Sequence, residues 1–200
     1  MAAARLSGLW KIYAAAIALA IFALFAGQQS SSTPAEHALL AARYTARVSF
    51  LWFTLVYLAG PGLKLWPNPA SRWLAGRRRH LGIAFGFLMT VHLVALLINI
   101  TQFDPRTFVS VIPGMIAYIF IGLMVLTSTD AAQRRMGAWW RRMHTAGMHW
   151  IWFIFLASYA GRIFDMEKMT IGLLFTPIAL ALLGLRLWSR RKPASAGTTA

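Results

Sequence analysis

The sequence contains no cysteine, which excludes disulfides, thiol chemistry and iron–sulfur clusters held by this chain. Charged residues are also scarce. They make up 12% of the 200 residues, whereas soluble domains carry roughly a quarter. Hydrophobic residues make up 58%. This composition excludes an ordinary soluble domain and indicates an integral membrane protein.

Acidic residues are the rarest charged class, with 5 Asp and Glu against 20 Lys and Arg. A basic excess of this size would suit nucleic-acid binding if the bases formed one patch. Here the basic residues flank apolar runs, and this placement is typical of membrane topology signals. We therefore expect membrane lipid, and no nucleic acid, as a partner.

The sequence has no long polar segment in which a soluble flavin or nicotinamide domain could fold. A membrane span needs roughly 20 mostly apolar residues, and six candidate runs cover residues 9–27, 49–65, 81–100, 109–127, 145–163 and 170–188. The first run resembles a signal peptide, but its cleavage signal is weak and five runs follow, so we expect it to be retained. The fold class predicted is all-α: a polytopic membrane protein with a six-transmembrane-helix bundle, forming one domain over residues 1–200 with a disordered tail at 193–200.

The loops predict the orientation of the bundle. Fifteen of the 20 basic residues lie in or next to the termini and the even-numbered loops, and five lie in or next to the other loops. Basic residues accumulate on the cytoplasmic side. The pattern predicts a bacterial inner-membrane protein that crosses the membrane several times and has both termini in the cytoplasm.

Glycine and proline mark two features of the central spans. Gly60, Pro61 and Gly62 interrupt the second run and predict a bend or an end of that helix. Gly82 and Gly86 form a small-xxx-small pair on the third run. The pair predicts either close helix packing or a groove that admits a flat cofactor.

Four histidines lie in or beside the third and fifth runs, which point the same way through the membrane. His80 and His144 stand at the inner ends of these runs and are expected to face each other. His92 follows His80 by 12 residues and lies about 18 Å deeper, whereas His149 lies only about 7 to 8 Å deeper than His144. Buried imidazoles in a helix bundle are common haem ligands.

Each histidine also has an ordinary interpretation. His37 sits in a polar stretch and is expected to be a solvated loop residue. His80 and His144 suit interfacial polar positions beside basic loops. His149 suits an imidazole that is hydrogen-bonded to a neighbouring helix. His92 is the hardest to explain without a ligand, because it is surrounded by apolar residues and an unpaired polar group inside a membrane is costly.

The basic residues beside the inner histidines suit the other half of a haem site. Haem b needs one or two axial nitrogens, an apolar slot, and cations or hydrogen-bond donors for its propionates. Arg78, Arg79 and Arg141 stand within a turn or two of His80 and His144. We expect these arginines to bind the cofactor as well as to set the topology.

Two segments resemble a known family. One reads Arg78-Arg79-x-Leu81-Gly82 and is followed by His92; the other reads Thr127-Ser128-Thr129 and then Gln133-Arg134-Arg135-x-Gly137-x-x-Trp140-x-x-x-His144. Together they resemble the ferric-reductase-like transmembrane domain family, and most closely its MsrQ-type haem-binding membrane subunits. The similarity covers about residues 77–159.

The resemblance implies a six-helix membrane protein with one or two haem b groups and no catalytic residues of its own. It implies an electron-transfer subunit of an oxidoreductase, supplied by quinol or by a flavin (FMN) partner. The electrons would pass to an acceptor on the outer side, such as a periplasmic reductase.

The resemblance places haem-iron ligands at His92 and His144, but the family's further histidine in helix five is Ala157 here. The outer site is then mono-histidine, absent, or completed by His149 through a shifted helix. His80 offers a second ligand to pair with His144 at the inner site.

Two other classes of function compete with electron transfer. One is a non-redox membrane scaffold or accessory protein of the same fold that has lost part of its haem sites, an idea favoured by Ala157. The other is a small transporter. It is disfavoured because no pair of Gly- or Pro-broken half-helices recurs in two halves of the sequence.

Overall fold

The computed structural model describes residues 8–191, and within them every regular element is helical. The α-helices, in chain order, are α1 (Leu9–Gln29), α2 (Pro34–Leu65), α3 (Pro69–Gly76), α4 (Arg78–Gln102), α5 (Phe108–Leu126), α6 (Asp130–Met136), α7 (Ala138–Ala160) and α8 (Met169–Arg191). A 3-10 turn, Gly161–Phe164, follows α7. The all-α prediction is confirmed. The proposed disordered tail at 193–200 lies outside the described residues.

Five of these helices are long and apolar enough to cross a membrane: α1, α2, α4, α5 and α8. The expected count of six is not confirmed, and the difference lies in α7, which corresponds to the predicted span 145–163. Its 23 residues are long enough to cross. Its first half carries Arg141, Arg142, His144 and His149, and these polar side chains lower its mean hydropathy.

Helix α2 begins much earlier than the apolar run 49–65 predicted. It starts at Pro34, where the Thr33 side chain accepts a hydrogen bond from the Glu36 backbone N–H at 3.2 Å. Proline fits the first helical turn, because its missing N–H would have no partner there. His37 therefore lies in the first turn of a helix and is half-buried, which corrects the expectation of a solvated loop.

The Gly60-Pro61-Gly62 segment does not end α2, which passes through Pro61 and stops at Leu65. The other four apolar helices begin and end within three residues of the predicted runs. Charged or turn-forming residues bound these runs on both sides, so their limits are well marked in the sequence.

Helix α2 forms the centre of the bundle and packs against α1, α4 and α8, while α7 packs against α5 and α8. Phe50, Phe53 and Tyr57 on α2 are fully buried. The Phe50 ring lies 5.1 Å, centroid to centroid, from both Phe155 and Tyr159 on α7. Aromatic pairs at such distances add to the energy of burial, so this cluster fixes α7 against α2.

Short capped helices connect the long ones at one end of the bundle. Asn68 and Ser71 form a reciprocal capping box at the start of α3, and Thr129 caps α6. Gly137 joins α6 to α7 with a φ of 53°, a conformation that side chains other than hydrogen rarely adopt. These connections bring the first turns of α4 and α7 to the same end of the molecule.

Candidate functional site

A cavity of about 580 Å³ lies at the end of the bundle where α4 and α7 begin and α8 ends. Its apolar lining includes Val56, Phe85, Ile121, Met124, Val125 and Met148. Its polar lining includes Arg78, Arg79, Gln133, Arg141, His144 and Arg186. The volume falls in the range of small-molecule sites, roughly 300 to 1,000 Å³.

His144 is the only histidine on this lining. Its Nδ1 lies 3.1 Å from the Trp140 carbonyl oxygen, and its ring stacks on the Trp140 indole at 3.8 Å between centroids. A carbonyl can only accept, so the proton sits on Nδ1 and the lone pair sits on Nε2. That Nε2 is buried and forms no hydrogen bond of good geometry within residues 8–191, although the Met124 carbonyl also interacts with the imidazole. Metal-binding imidazoles are commonly oriented by such an Nδ1–H bond.

Trp140 is itself fixed by the preceding loop. Its indole Nε1–H donates to the Thr127 carbonyl at 2.9 Å. The bond links the first turn of α7 to the end of α5. It fixes the indole on which the His144 ring stacks. Thr127, Trp140 and His144 all belong to the segment that the sequence singled out, and the structure supplies a physical reason for their spacing.

The four arginines of the lining differ in how they are paired. Arg79 forms an ion pair with Asp130 at the start of α6, and this hydrogen bond lowers the pKa of the Asp130 carboxyl. Arg78 and Arg141 form no ion pair with a carboxylate in the described part of the chain. They retain their hydrogen-bonding capacity for an anion in the cavity.

Arg186 is a cavity residue that sequence reasoning counted only as a topology signal. Its guanidinium lies 4.6 Å above the centre of the Tyr57 ring. Its Nη1 is buried without a hydrogen-bond partner within residues 8–191. The sequence did hold a signal, because Arg186 falls inside the predicted span 170–188, and an ionisable residue inside a span is a functional candidate by default.

The two glycines on α4 serve different purposes. Gly82 lines the cavity, and a Cβ atom there would meet no other atom within 4 Å. A Cβ at Gly86 would lie 2.6 Å from Cγ2 of Val125 on α5. The groove interpretation therefore fits Gly82, and the close-packing interpretation fits Gly86.

His80 does not line the cavity with His144. Its Nδ1 is hydrogen-bonded to the Tyr13 hydroxyl on α1 at 2.9 Å, and the two rings meet edge to face. The half-buried imidazole thus turns towards α1. The structure does not bring together the pair expected at the inner ends of the third and fifth runs.

His149 also lies outside the cavity. Its Nδ1 is 2.7 Å from the Thr145 carbonyl oxygen, and its ring lies edge-on to Tyr57 at 6.1 Å. It borders a shallow, open depression together with Arg141 and Arg142. The hydrogen bond is made within α7 itself and not, as the ordinary interpretation expected, to a neighbouring helix, and the neighbouring helix α2 contributes only the Tyr57 ring contact.

His92 faces the central helix α2 in the other half of the bundle. Its Nδ1 lies 3.1 Å from the hydroxyl oxygen of Thr45, and that hydroxyl donates to the Ala41 carbonyl at 2.7 Å. With its proton directed to Ala41, the Thr45 oxygen can accept from the imidazole Nδ1–H, and the Ala42 carbonyl also interacts with the imidazole. Ala157, the residue at the family's further histidine position, has an exposed side chain on α7.

A metal ion in the cavity would need ligands beyond the protein's own. No three His, Asp or Glu side chains in the described ranges lie close enough together to hold a metal ion. One imidazole with a free Nε2 suits an iron whose other ligands come from a porphyrin. The donor set, the apolar lining and the unpaired arginines all fit a haem.

Comparison with known proteins gives one informative match. No protein-family model matches the sequence, and no solved structure matches it significantly. The chain is 26% identical over 159 residues to the protein-methionine-sulfoxide reductase heme-binding subunit MsrQ of Pasteurella multocida (strain Pm70). The alignment covers 72% of this chain and 73% of that protein. The chain is a distant homologue of a haem-binding membrane subunit.

Proposed function

We propose that this chain is a haem b-containing membrane electron-transfer protein. The observation that carries the proposal is His144, which lines a cavity of cofactor size and whose buried Nε2 forms no hydrogen bond within residues 8–191. A buried polar atom without a partner is costly, and bound iron would satisfy it. The name of the distant homologue supports the same cofactor.

The residues of the cavity suit three separate tasks. His144, oriented by the Trp140 carbonyl, would hold the iron through Nε2. Met124 and Met148 would cover the apolar ring and exclude water. Arg78 and Arg186 would neutralise the two propionate carboxylates of the haem. When bound, haem supplies a one-electron redox centre, and the protein tunes it through the axial ligand, the hydrogen bonds and the burial.

The ligand set that the geometry supports best is one histidine at the cavity. His80 and His149 are turned towards Tyr13 and Thr145, so neither is placed to pair with His144. His92 remains a candidate ligand for a second, outer haem, as the resemblance to the ferric-reductase-like family implies. We propose one haem at the cavity and keep the His92 site as a separate prediction.

We propose that the chain crosses the membrane six times. The sixth span is α7, which is long enough to cross but less apolar than the other five helices. The buried Phe155 and Tyr159 in its second half pack against Phe50 of α2. Both termini would be cytoplasmic, which places the cavity on the cytoplasmic side of a bacterial inner membrane. Quinol or a cytoplasmic flavin (FMN) partner would then reduce the haem, and an outer acceptor, such as a periplasmic reductase, would oxidise it.

A specific observation favours a second candidate, a non-redox scaffold of the same fold. Ala157 occupies the family's further ligand position and is exposed, and only one histidine lines the cavity. A scaffold would keep the bundle and its contacts but would bind no haem.

The absorption spectrum of the purified protein separates the two candidates. Haem b gives a Soret band and, after reduction with dithionite, the sharp bands of a b-type cytochrome. We expect these bands in the unmodified protein and in His37→Leu, and we expect His144→Leu to lose them while inserting normally. Fully inserted, monodisperse and colourless protein would favour the scaffold.

A further inference from the structure

A second group of cations lies at the end of the bundle opposite the cavity. Arg43 and Arg47 are one turn apart near the start of α2, Arg106 lies between α4 and α5, and Arg162 lies in the 3-10 turn after α7. Arg162 is within electrostatic reach of the other three arginines. We call these four residues the far-end arginine cluster.

The far-end arginine cluster is not neutralised within the described chain. Arg106 pairs with Asp104 at 3.2 Å. Arg43, Arg47 and Arg162 form no ion pair with a carboxylate in residues 8–191. Four positive charges and one negative charge leave a net charge of +3 on neighbouring side chains. Like charges repel, and repulsion is strongest where the guanidinium groups are partly removed from water.

Three of the arginines are half-buried, and aromatic rings hold two of them. The Arg47 guanidinium lies 5.1 Å from the centre of the Tyr44 ring, and that of Arg162 lies 5.3 Å from the Tyr159 ring. Such contacts orient the guanidinium groups without removing their charge. The Tyr159 hydroxyl is buried and has no hydrogen-bond partner in the described residues. The cluster therefore offers several oriented donors to an anion.

The surroundings of the cluster decide which anion fits. Phe164 and Met166 follow Arg162 and are 90% and 84% exposed, and Phe108 and Val109, which follow Arg106, are also strongly exposed. Exposed apolar side chains thus lie within four residues of the Arg106 and Arg162 cations in the sequence. A free phosphate ion would leave these apolar side chains uncovered, whereas a lipid presents an anionic headgroup and acyl chains together.

We propose that the far-end arginine cluster binds the headgroup of an anionic phospholipid. The phosphate accepts hydrogen bonds from Arg47 and Arg162, and the acyl chains cover Phe164 and Met166. Positive charge is disfavoured on the outer side of a bacterial membrane unless something retains it there. Lipid binding would explain why the far-end arginine cluster lies on the side of the membrane where basic residues are otherwise rare. The proposal does not depend on whether the chain binds haem.

The test measures lipid binding to the purified full-length chain in detergent. Phosphatidylglycerol, phosphatidylcholine and inorganic phosphate are added separately, and native mass spectrometry and thermal unfolding are recorded. We expect phosphatidylglycerol to bind roughly tenfold or more tightly than phosphatidylcholine, because each surface arginine attracts anionic lipid. Equal binding of the two lipids contradicts the proposal. Equal stabilisation by inorganic phosphate contradicts the lipid as the occupant.

Matched variants locate the site. Arg47→Gln with Arg162→Gln should lower the preference for phosphatidylglycerol severalfold, and Arg47→Lys with Arg162→Lys should retain much of it because the charges remain. Arg134→Gln with Arg135→Gln is the control, since both residues are exposed on α6 at the cavity end. An unchanged preference in the first double variant, or an equal loss in the control, overturns the assignment. If the glutamine variant does not fold, the lysine variant and the three ligands on the unmodified chain decide.

Discussion

At the scale of single residues, the hydrogen bond between His144 and the Trp140 carbonyl decides what the imidazole can do. The bond fixes the proton on Nδ1, and the stacked indole limits rotation of the ring. Nε2 is then held in one direction without a partner among the described residues. An unpaired Nε2 inside a protein is destabilising unless a ligand uses it. The cost indicates a binding function for His144.

Arg186 should contribute more to cofactor retention than Arg79 does. Arg79 already forms an ion pair with Asp130, whereas Arg186 has a buried Nη1 without a partner in the described chain. A hydrogen bond to a charged group contributes about 1.5 to 3 kcal/mol, so Arg186→Gln should weaken haem binding about tenfold or more. The fraction of haem that each variant retains during dilution in detergent measures this loss of affinity. The same loss in Arg79→Gln, or none in either variant, would remove the special role of Arg186.

The basic pair at the start of α4 gives a related prediction. Replacing Arg78 and Arg79 together by glutamine should lower haem occupancy and preserve membrane insertion, because five candidate spans remain apolar. The measurement is the ratio of Soret absorbance to protein absorbance. An unchanged ratio would mean that the two arginines set only the orientation of the chain.

His92 tests whether a second haem exists. His92→Leu should insert normally, because leucine fills the space of the imidazole and suits the surrounding apolar helix. If Nε2 of His92 is a ligand, a redox titration loses one of two transitions or the whole b-type signal. A full haem content with an unchanged midpoint potential would show that His92 is no ligand and serves only to hydrogen-bond Thr45 on α2.

At the scale of helices, α7 depends on the turn that precedes it. Gly137 has a φ of 53° and a ψ of −116°, and it sets the direction in which α7 leaves α6. Any other residue would be strained there. The helix start carries Trp140 and His144, so a change of direction moves the proposed ligand.

Gly137→Ala should therefore destabilise the protein by about 1 to 3 kcal/mol and lower its haem content. Thermal unfolding in detergent and the Soret ratio measure the two effects. The matched control is Gly184→Ala in α8, where a Cβ meets nothing within 4 Å. Alanine is the better helix former, so the control should be neutral or more stable. Equal behaviour of the two variants would show that the turn conformation is unimportant.

The helices differ in how far the sequence could predict them. The limits of α1, α4, α5 and α8 follow from apolar runs bounded by charged or turn-forming residues. The first turns of α2 were missed because the segment AEHALLAARYTAR is too polar to be read as a span, although most of its residues favour helix. The helical state of these residues depends on packing: Ala38, Ala41 and Ala42 are buried.

The candidate site was predicted less completely than the helices. His144 and the arginines beside it could be found from their spacing next to an apolar run. The hydrogen-bond partner of His80 could not be predicted, because nothing in the sequence shows that Tyr13 of α1 lies beside the start of α4. The role of Arg186 requires the last helix to meet the first turns of α4 and α7. Both facts belong to the tertiary arrangement.

At the scale of the whole molecule, the absence of cysteine makes the topology directly measurable. Single cysteines introduced at Arg135, Glu167 and Asp104 can be labelled in intact cells by a reagent that does not cross the membrane. The 15-to-5 division of basic residues predicts labelling at the positions of Glu167 and Asp104 but not at that of Arg135. Labelling at position 135 would contradict six spans with cytoplasmic termini.

The most direct test of the central claim replaces the His144 side chain and then returns it as a free ligand. His144→Ala removes the imidazole but keeps the helix and enlarges the cavity beside Trp140. The account predicts that this variant purifies without a Soret band and that added imidazole, supplied with haem, restores a b-type spectrum. Imidazole should have no such effect on His37→Ala. Full haem content in His144→Ala without imidazole, with an unchanged midpoint potential, would contradict the claim that His144 holds the cofactor.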